Sequence, residues 1–389
     1  MKLKQIALMG LVVFALWNCN SKTTDSSATK TYTAEEMKDN PLVQESSLPY
    51  SAPDFSKIKD EHFRPALDYA IQVEREAIEQ IANNPEEPTF ENTLVEMEKA
   101  NELLSRVSRV FYALTGAHTN DHLKELQAEM APKFAAHRDF ILLNENLFQR
   151  IKTIYDQREE LGLEGEDLKL VEVRYQNFIK AGANLSTEDK ETLKEINANL
   201  ASLENEFGQT LLEAGNNSAF IVRDTAMLKG LTANEINSLK VEGKSEWKIP
   251  IHNTTQQPLT QSLENRQTRE NLFNKAWSRT DGGNYSTLDI INQIVKLRIE
   301  KANLLGYPTY ASWNLQDTMV KNTETVDDFF AELIPPTVKA IAKEAEVLQN
   351  KIQSEGNDFE LKPWDWTYYA EQVRKEKYDL DEGQLKPYF

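Results

Sequence analysis

Five histidines are the side chains through which this sequence could most readily hold a metal or move a proton near neutral pH. His118 and His122 stand four apart, the spacing that sets two metal ligands on one helical face. Between them lie Thr119, Asn120 and Asp121, with no glutamate after the first histidine to act as a base. Asn120-Asp121 reads as the start of a helix, which leaves His118 in the preceding turn and off the shared face. The pair is therefore read as structural, and the isolated His62, His137 and His252 as surface or capping residues. Gly243-Lys244-Ser245 has the ending of a phosphate-binding loop, but Ser238 stands where that motif has its first glycine. The run also precedes a β-prone segment instead of opening a helix, so it is read as a hairpin or strand-entry turn. No G-x-S-x-G or G-x-G-x-x-G occurs, and Cys19 has no second cysteine with which to form a disulfide, metal or redox pair. Acidic runs such as Glu159-Glu160 and Asp379-Leu380-Asp381-Glu382 read as solvated faces and termini. No catalytic and no metal-ligating residue is assigned within the chain, because convergent groups cannot be assembled from these residues.

The elements that would position any site are mainly helical. Glycine and proline are scarce, at 14 each in 389 residues, which favours helix over sheet. A formal charge of −18 repels polyanions and argues against nucleic acid as a partner. Residues 1–19 form a lipoprotein-type signal: Lys2 and Lys4 precede the apolar run Ile6 to Trp17, too short to span a bilayer comfortably, with Cys19 at its end. Cys19 reads as the lipid attachment site of a bacterial lipoprotein, although Asn18 stands where such signals prefer a small residue. A cleaved signal peptide, or an uncleaved anchor with Cys19 incidental, are the alternatives. All three send the protein out of the cytoplasm, to the periplasm or a membrane surface.

Residues 20–45 read as a flexible tether and 46–215 as an N-terminal helical lobe. Its helices open at Asp60, near Thr89 and at Ser186, the last followed by Leu193, Ile196, Leu200, Leu203 and Phe207 at helical spacing. A small α/β segment follows at 216–258, with β-prone runs at Ala219 to Arg223 and Trp247 to Ile251 around a capped helix at Thr232. Residues 259–389 return to helix. Gly306 ends one helix, Pro308 starts the next, and a further helix is expected to kink or break at Pro335-Pro336.

The closing stretch is the most aromatic of the chain. From Pro363-Trp364-Asp365-Trp366 to Tyr378, helical spacing puts Trp366, Tyr369 and Val373 on one face. That face is expected to need a cover from outside the chain. Together with Leu385-Lys386-Pro387-Tyr388-Phe389, the stretch resembles the run that precedes the zinc site in the thimet oligopeptidase and oligopeptidase A family of zinc metallopeptidases, most closely its peptidyl-dipeptidase branch. The likeness continues, in order, through Ser47-Leu48-Pro49-Tyr50, Asp60 to Ala66, Ile81 to Pro85, Pro88 to Thr93, Ala131-Pro132-Lys133, Ala136-His137 and Leu297 to Tyr307.

The resemblance implies an elongated, two-lobed helical body whose narrow channel admits short unstructured peptides. It also implies a zinc ion held by an H-E-x-x-H helix and a downstream glutamate, and release of dipeptides from peptide C-termini. No H-E-x-x-H occurs between Met1 and Phe389. The expectation is thus the N-terminal part of an exported zinc peptidyl-dipeptidase, truncated before its metal site, binding no zinc and inactive by itself. The alternative is a non-catalytic helical lipoprotein that acts as a peptide-binding or interaction module.

Overall fold

The computed structural model of the chain describes residues 30–252 and 256–378. The signal, Cys19, the first ten residues of the tether and the acidic run from Asp379 onward lie outside them. Helices dominate, and several begin where a side chain supplies the missing acceptor for a first-turn N–H. After α1 (Ala34–Met37) comes α2 (Phe63–Ala82), preceded by a short 3₁₀ turn, Asp60–His62. Asp60 is therefore not the helix cap; its carboxylate accepts instead from Asn120 Nδ2 at 2.7 Å. Thr89 caps a π-helical turn, Phe90–Val95, that runs into α3 (Glu96–Ala100). α4 (Glu102–Ala117) ends at His118, and Asn120 caps α5 (Asp121–Leu142) by accepting from the N–H of Leu123 at 2.9 Å. α6 (Glu145–Asp156) and α7 (Gly165–Ala181) follow, then α8 (Thr187–Asn217), whose cap Ser186 accepts from the N–H of Asp189. Each such cap contributes about 1 kcal/mol.

Two cores hold the first lobe. Phe63 and Leu67 of α2 pack with Leu104, Val107 and Phe111 of α4 and with Leu126 and Met130 of α5. The far end of α2, at Ile78 and Ile81, joins Leu94 of the π turn, Leu147 and Ile151 of α6, and Val171 and Phe178 of α7. Packing starts earlier than a tether running to residue 45 allows, because Tyr32, Met37 and Leu42 are buried, and Leu42 belongs to the first core. The polar composition of the leader concealed these three anchors.

β1 (Ala219–Val222) and β2 (Trp247–Pro250) form a two-stranded antiparallel sheet, with Phe220 opposite Ile249. Between them α9 (Ala233–Leu239) begins at the Thr232–Glu235 capping box. Gly243 turns the chain into β2 at φ 71°, and the N–H of Val241 donates to the carbonyl of Glu246, so this run is a turn and not a phosphate loop. A boundary at 258 cuts through one core: Val222, Leu228 and Ile249 pack with Leu259, Leu263 and Leu272 of α10 (Gln256–Ser262), its exit and α11 (Arg266–Trp277). Gly230 marks the join. It sits at φ 98°, and a Cβ there would lie 1.9 Å from the carbonyl oxygen of Ser262.

α12 (Leu288–Leu304) lays Ile290 and Ile294 on Ile196 and Leu200 of α8, so the long helix serves both halves of the chain. Gly306 lies past its end at φ 83°. α13 (Tyr310–Leu315) is capped by Thr309, which leaves Pro308 just outside that helix instead of starting it. α14 (Thr323–Ser354) is one helix and passes through Pro335-Pro336 without a break. The prolines forfeit two backbone hydrogen bonds, but residues 331–340 are all exposed, so water can reach the released carbonyls.

α15 (Pro363–Tyr378) corrects a further expectation. Its aromatic face is covered from within the chain: Trp366, Tyr369 and Val373 pack with Leu348 and Ile352 of α14 and with Phe359 and Leu361. The uncovered apolar residues lie elsewhere. Phe330, Ile334, Val338 and Ile341 of α14, and Leu288, Ile291, Val295 and Ile299 of α12, are each about half exposed and follow helical spacing.

Asp365, fully buried at the start of α15, joins it to α11. Arg266 donates to both of its oxygens, from Nη2 at 2.8 Å, and Arg269 Nη2 donates to Oδ1 at 2.9 Å. Arg269 is only 1% exposed, so removal of the carboxylate strands a buried cation. Asp365→Ala is expected to cost about 3–5 kcal/mol. Urea denaturation with a paired test of protease cutting in residues 357–362 checks this, and an unchanged midpoint would contradict it.

Candidate functional site

A cleft of about 730 Å³ opens where α5, α7 and α8 meet α12 and α13. α5 and α8 are adjacent along much of their lengths and α12 lies on the other side of α8, so side chains from three helices converge although they are far apart in sequence. Asp139 of α5 is 6% exposed, and its Oδ1 accepts from Asn197 Nδ2 of α8 at 2.8 Å. Lys301 of α12 donates from Nζ to Asn197 Oδ1 at 2.7 Å. The carboxamide thus holds an anion and a cation apart and bridges both. Asp139 Oδ2 meets no hydrogen-bond donor among the described residues.

The field inside the cleft follows from this burial. Desolvation pushes the Asp139 carboxyl above the usual carboxylate range, against the opposing pull of the Asn197 hydrogen bond and of Lys301 and Arg138. Desolvation likewise pushes the Lys301 ammonium down, with Arg138 acting in the same direction and Asp139 against it. One wall is aromatic. Trp313 of α13 donates from Nε1 to the carbonyl of Lys180 at 3.0 Å, and the ammonium groups of Lys301 and Lys180 lie 5.0 and 5.3 Å from its ring. Lys180 also donates to Asp317 Oδ1 at 2.5 Å, which holds the Asp317 carboxyl below its ordinary range.

The histidines do not come together. His118 ends α4 and His122 lies in the first turn of α5, as their spacing around Asn120 indicated. His62 is a capping residue whose Nδ1 accepts from the N–H of Lys59 at 3.1 Å, and His252 is exposed. His137 corrects the surface reading: it is buried, with Nε2 2.9 Å from Glu74 Oε2. Arg75 Nε donates to its Nδ1 at 3.4 Å, which places the proton of a neutral ring on Nε2. Glu74 lies 63 residues away on α2, a pairing that no local pattern announces. Among the described residues no three histidine, cysteine or acidic side chains converge as a metal-ligand set. The guanidinium beside His137 opposes a cation there, and these residues do not fit a zinc ion.

Asp139, Asn197 and Lys301 were not singled out from sequence. Their separations of 58 and 104 residues carry no periodic signal. The one available hint was that Lys301 stands in the Leu297 to Tyr307 run that resembles the peptidases.

The chain matches Peptidase family M3 over residues 259–389, in keeping with its mainly helical body. It is 44% identical over 359 residues to the dipeptidyl carboxypeptidase of Salmonella typhimurium, covering 91% of this chain and 53% of that protein. Against the dipeptidyl carboxypeptidase of Escherichia coli it is 42% identical over 357 residues, covering 90% of this chain and 52% of that one. Similarity to oligopeptidase A of Haemophilus influenzae is lower, 26% over 359 residues, covering 90% of this chain and 52% of that protein. The chain spans about half the length of the curated relatives it matches. No described helix is long and apolar enough to cross a membrane.

A carboxyl whose folded pKa is raised destabilises the fold above that pKa, and the penalty disappears as pH falls through it to the unfolded value. Asp139→Asn is therefore expected to be more stable than the wild type at pH 7, with the difference shrinking toward the ordinary carboxylate range. Urea melts of both proteins at pH 4 and pH 7 check the sign, and a difference that grows on acidification would refute it.

Proposed function

We propose that this chain is the N-terminal portion of an exported zinc-dependent peptidyl-dipeptidase, supplying helical scaffold and channel wall to an enzyme that releases dipeptides from the C-termini of short unstructured peptides. The observation that carries the reading is the contrast in identity: 44% to a dipeptidyl carboxypeptidase against 26% to an oligopeptidase A, over the same length of chain. The half-exposed apolar stripes of α12 and α14 support it, since monomers rarely leave such surfaces uncovered and further polypeptide packed there would bury them. In the enzyme, zinc would supply an activated water, while this chain's residues shape access by short peptides.

A non-catalytic peptide-binding lipoprotein is the second reading. The covered aromatic face of α15 favours it, because that face no longer demands a partner outside the chain. Activity separates the two only in the longer protein, whereas both predict an inert 389-residue chain, because the sequence holds no H-E-x-x-H motif. Purified chain is expected to hold less than stoichiometric zinc and to release no dipeptide from an unblocked peptide. Stoichiometric metal with dipeptide release would overturn the assignment of catalysis to residues outside it. The same chain joined to the remaining half of a dipeptidyl carboxypeptidase is expected to gain that activity under the first reading and to stay inert under the second.

Export and anchoring are part of the proposal, through Cys19 as the acylated residue of the mature N-terminus. Mass spectrometry of that terminus is expected to show a lipid adduct, and Cys19→Ser to move the protein from the membrane to the soluble fraction. An unmodified Cys19, or a variant that still sediments with membranes, would remove the anchor from the reading.

A further inference from the structure

We propose that the cleft between α5, α8 and α12 is a binding site for a small amino-acid or dipeptide zwitterion, its ammonium group meeting Asp139 and its carboxylate meeting Lys301 and Arg138. The argument is one of charge left over after pairing. Around the cleft, Glu74 is engaged by His137, Arg174 by Glu98, Lys180 by Asp317 and Glu204 by Arg298. Three charged groups remain without a direct ion pair among the described residues, although Lys301 and Arg138 act on Asp139 across the cleft. Asp139 has one oxygen bonded to a neutral carboxamide and the other without a donor. Lys301 has the same neutral carboxamide as its hydrogen-bond partner, and Arg138 stands exposed at the rim without an ion pair.

Asn197 keeps the anion and the cation one carboxamide apart, so they do not neutralise each other by contact. A ligand that carries a cationic donor and an anionic acceptor a few bonds apart would pair with both at once. Burial already pushes Asp139 up and Lys301 down, each toward its neutral form, and a dipolar ligand would replace the lost hydration of both. The cleft, at about 730 Å³, lies in the size range of small-molecule sites, and Trp313 offers an apolar face for a side chain. The inference uses no catalytic step, so it stands or falls separately from the peptidase reading.

Isothermal titration of the 389-residue chain with L-alanyl-L-alanine tests it. Saturable one-to-one binding is expected, weakened at least tenfold when the probe is N-acetylated and again when it is C-terminally amidated. Because capping alters only the ligand, this arm does not depend on any variant folding. Lys301→Met and Asp139→Asn are each expected to weaken binding at least tenfold, with thermal unfolding showing that both remain folded. Absence of saturable binding, equal affinity for the capped dipeptides, or wild-type affinity in two folded variants would each overturn the assignment.

Discussion

A single helix, α8, has both of its faces occupied, and the arrangement of the two halves of the chain follows from that. Its length of 31 residues lets it lie against α5 on one side and carry α12 on the other, through Ile196 and Leu200 against Ile290 and Ile294. Burial of that apolar seam supplies the attraction, while the polar residues interleaved with it have to find partners where they stand. Asn197, one position from Ile196, can reach Asp139 on one neighbour and Lys301 on the other only because α8 is shared. The cleft is thus a by-product of helix packing that became chemically distinctive through three polar side chains.

At the start of α15 the chain handles buried charge by direct pairing. Asp365 receives two guanidinium groups, and the aromatic rings of Phe359 and Tyr368 lie over them, with Arg266 4.1 Å and Arg269 4.3 Å from the respective ring centres. The carboxylate of that cluster is fully paired with guanidinium groups, although Arg269 Nε meets no acceptor among the described residues, and the cluster reads as structural. The cleft differs in kind, since its carboxylate and ammonium share one neutral mediator and leave hydrogen-bonding capacity unused. Contrasting the two shows how burial alone does not mark a site: what marks it is a buried carboxylate that lacks a direct cationic partner.

The apolar stripes on α12 and α14 belong to a third category. They have the periodicity of core helices without a covering layer among the described residues, whereas the aromatic face of α15, which looked unpartnered in the sequence, packs within the chain with Tyr369 buried and Trp366 and Val373 partly so. Amphipathic spacing identifies which residues want to be buried. It does not say against what, and in this chain the segments 359–361 and 348–352 fold back to supply a cover that lies only a few turns upstream of α15.

Local chemistry was legible where it is decided locally. The capping roles of Asn120, Ser186 and Thr232, the helix start near Thr89, the turn at Gly243, the two short strands and the mainly helical class follow from side chains acting within a few residues of themselves. The resemblance to the peptidases was legible for a different reason, because many short segments from about residue 46 onward resemble that family in one order. Pairings between distant elements were not legible: His137 with Glu74, Asp365 with Arg266 and Arg269, and Asp139 with Lys301 through Asn197. The sequence by itself thus determined the elements and the kinship, because hydrogen bonding and periodic burial act along the chain. Only the tertiary structure decided which faces were covered, how far the packed leader and the α/β core extended, and where unlike charges were left buried without each other, because these depend on contacts across tens of residues that no local pattern encodes.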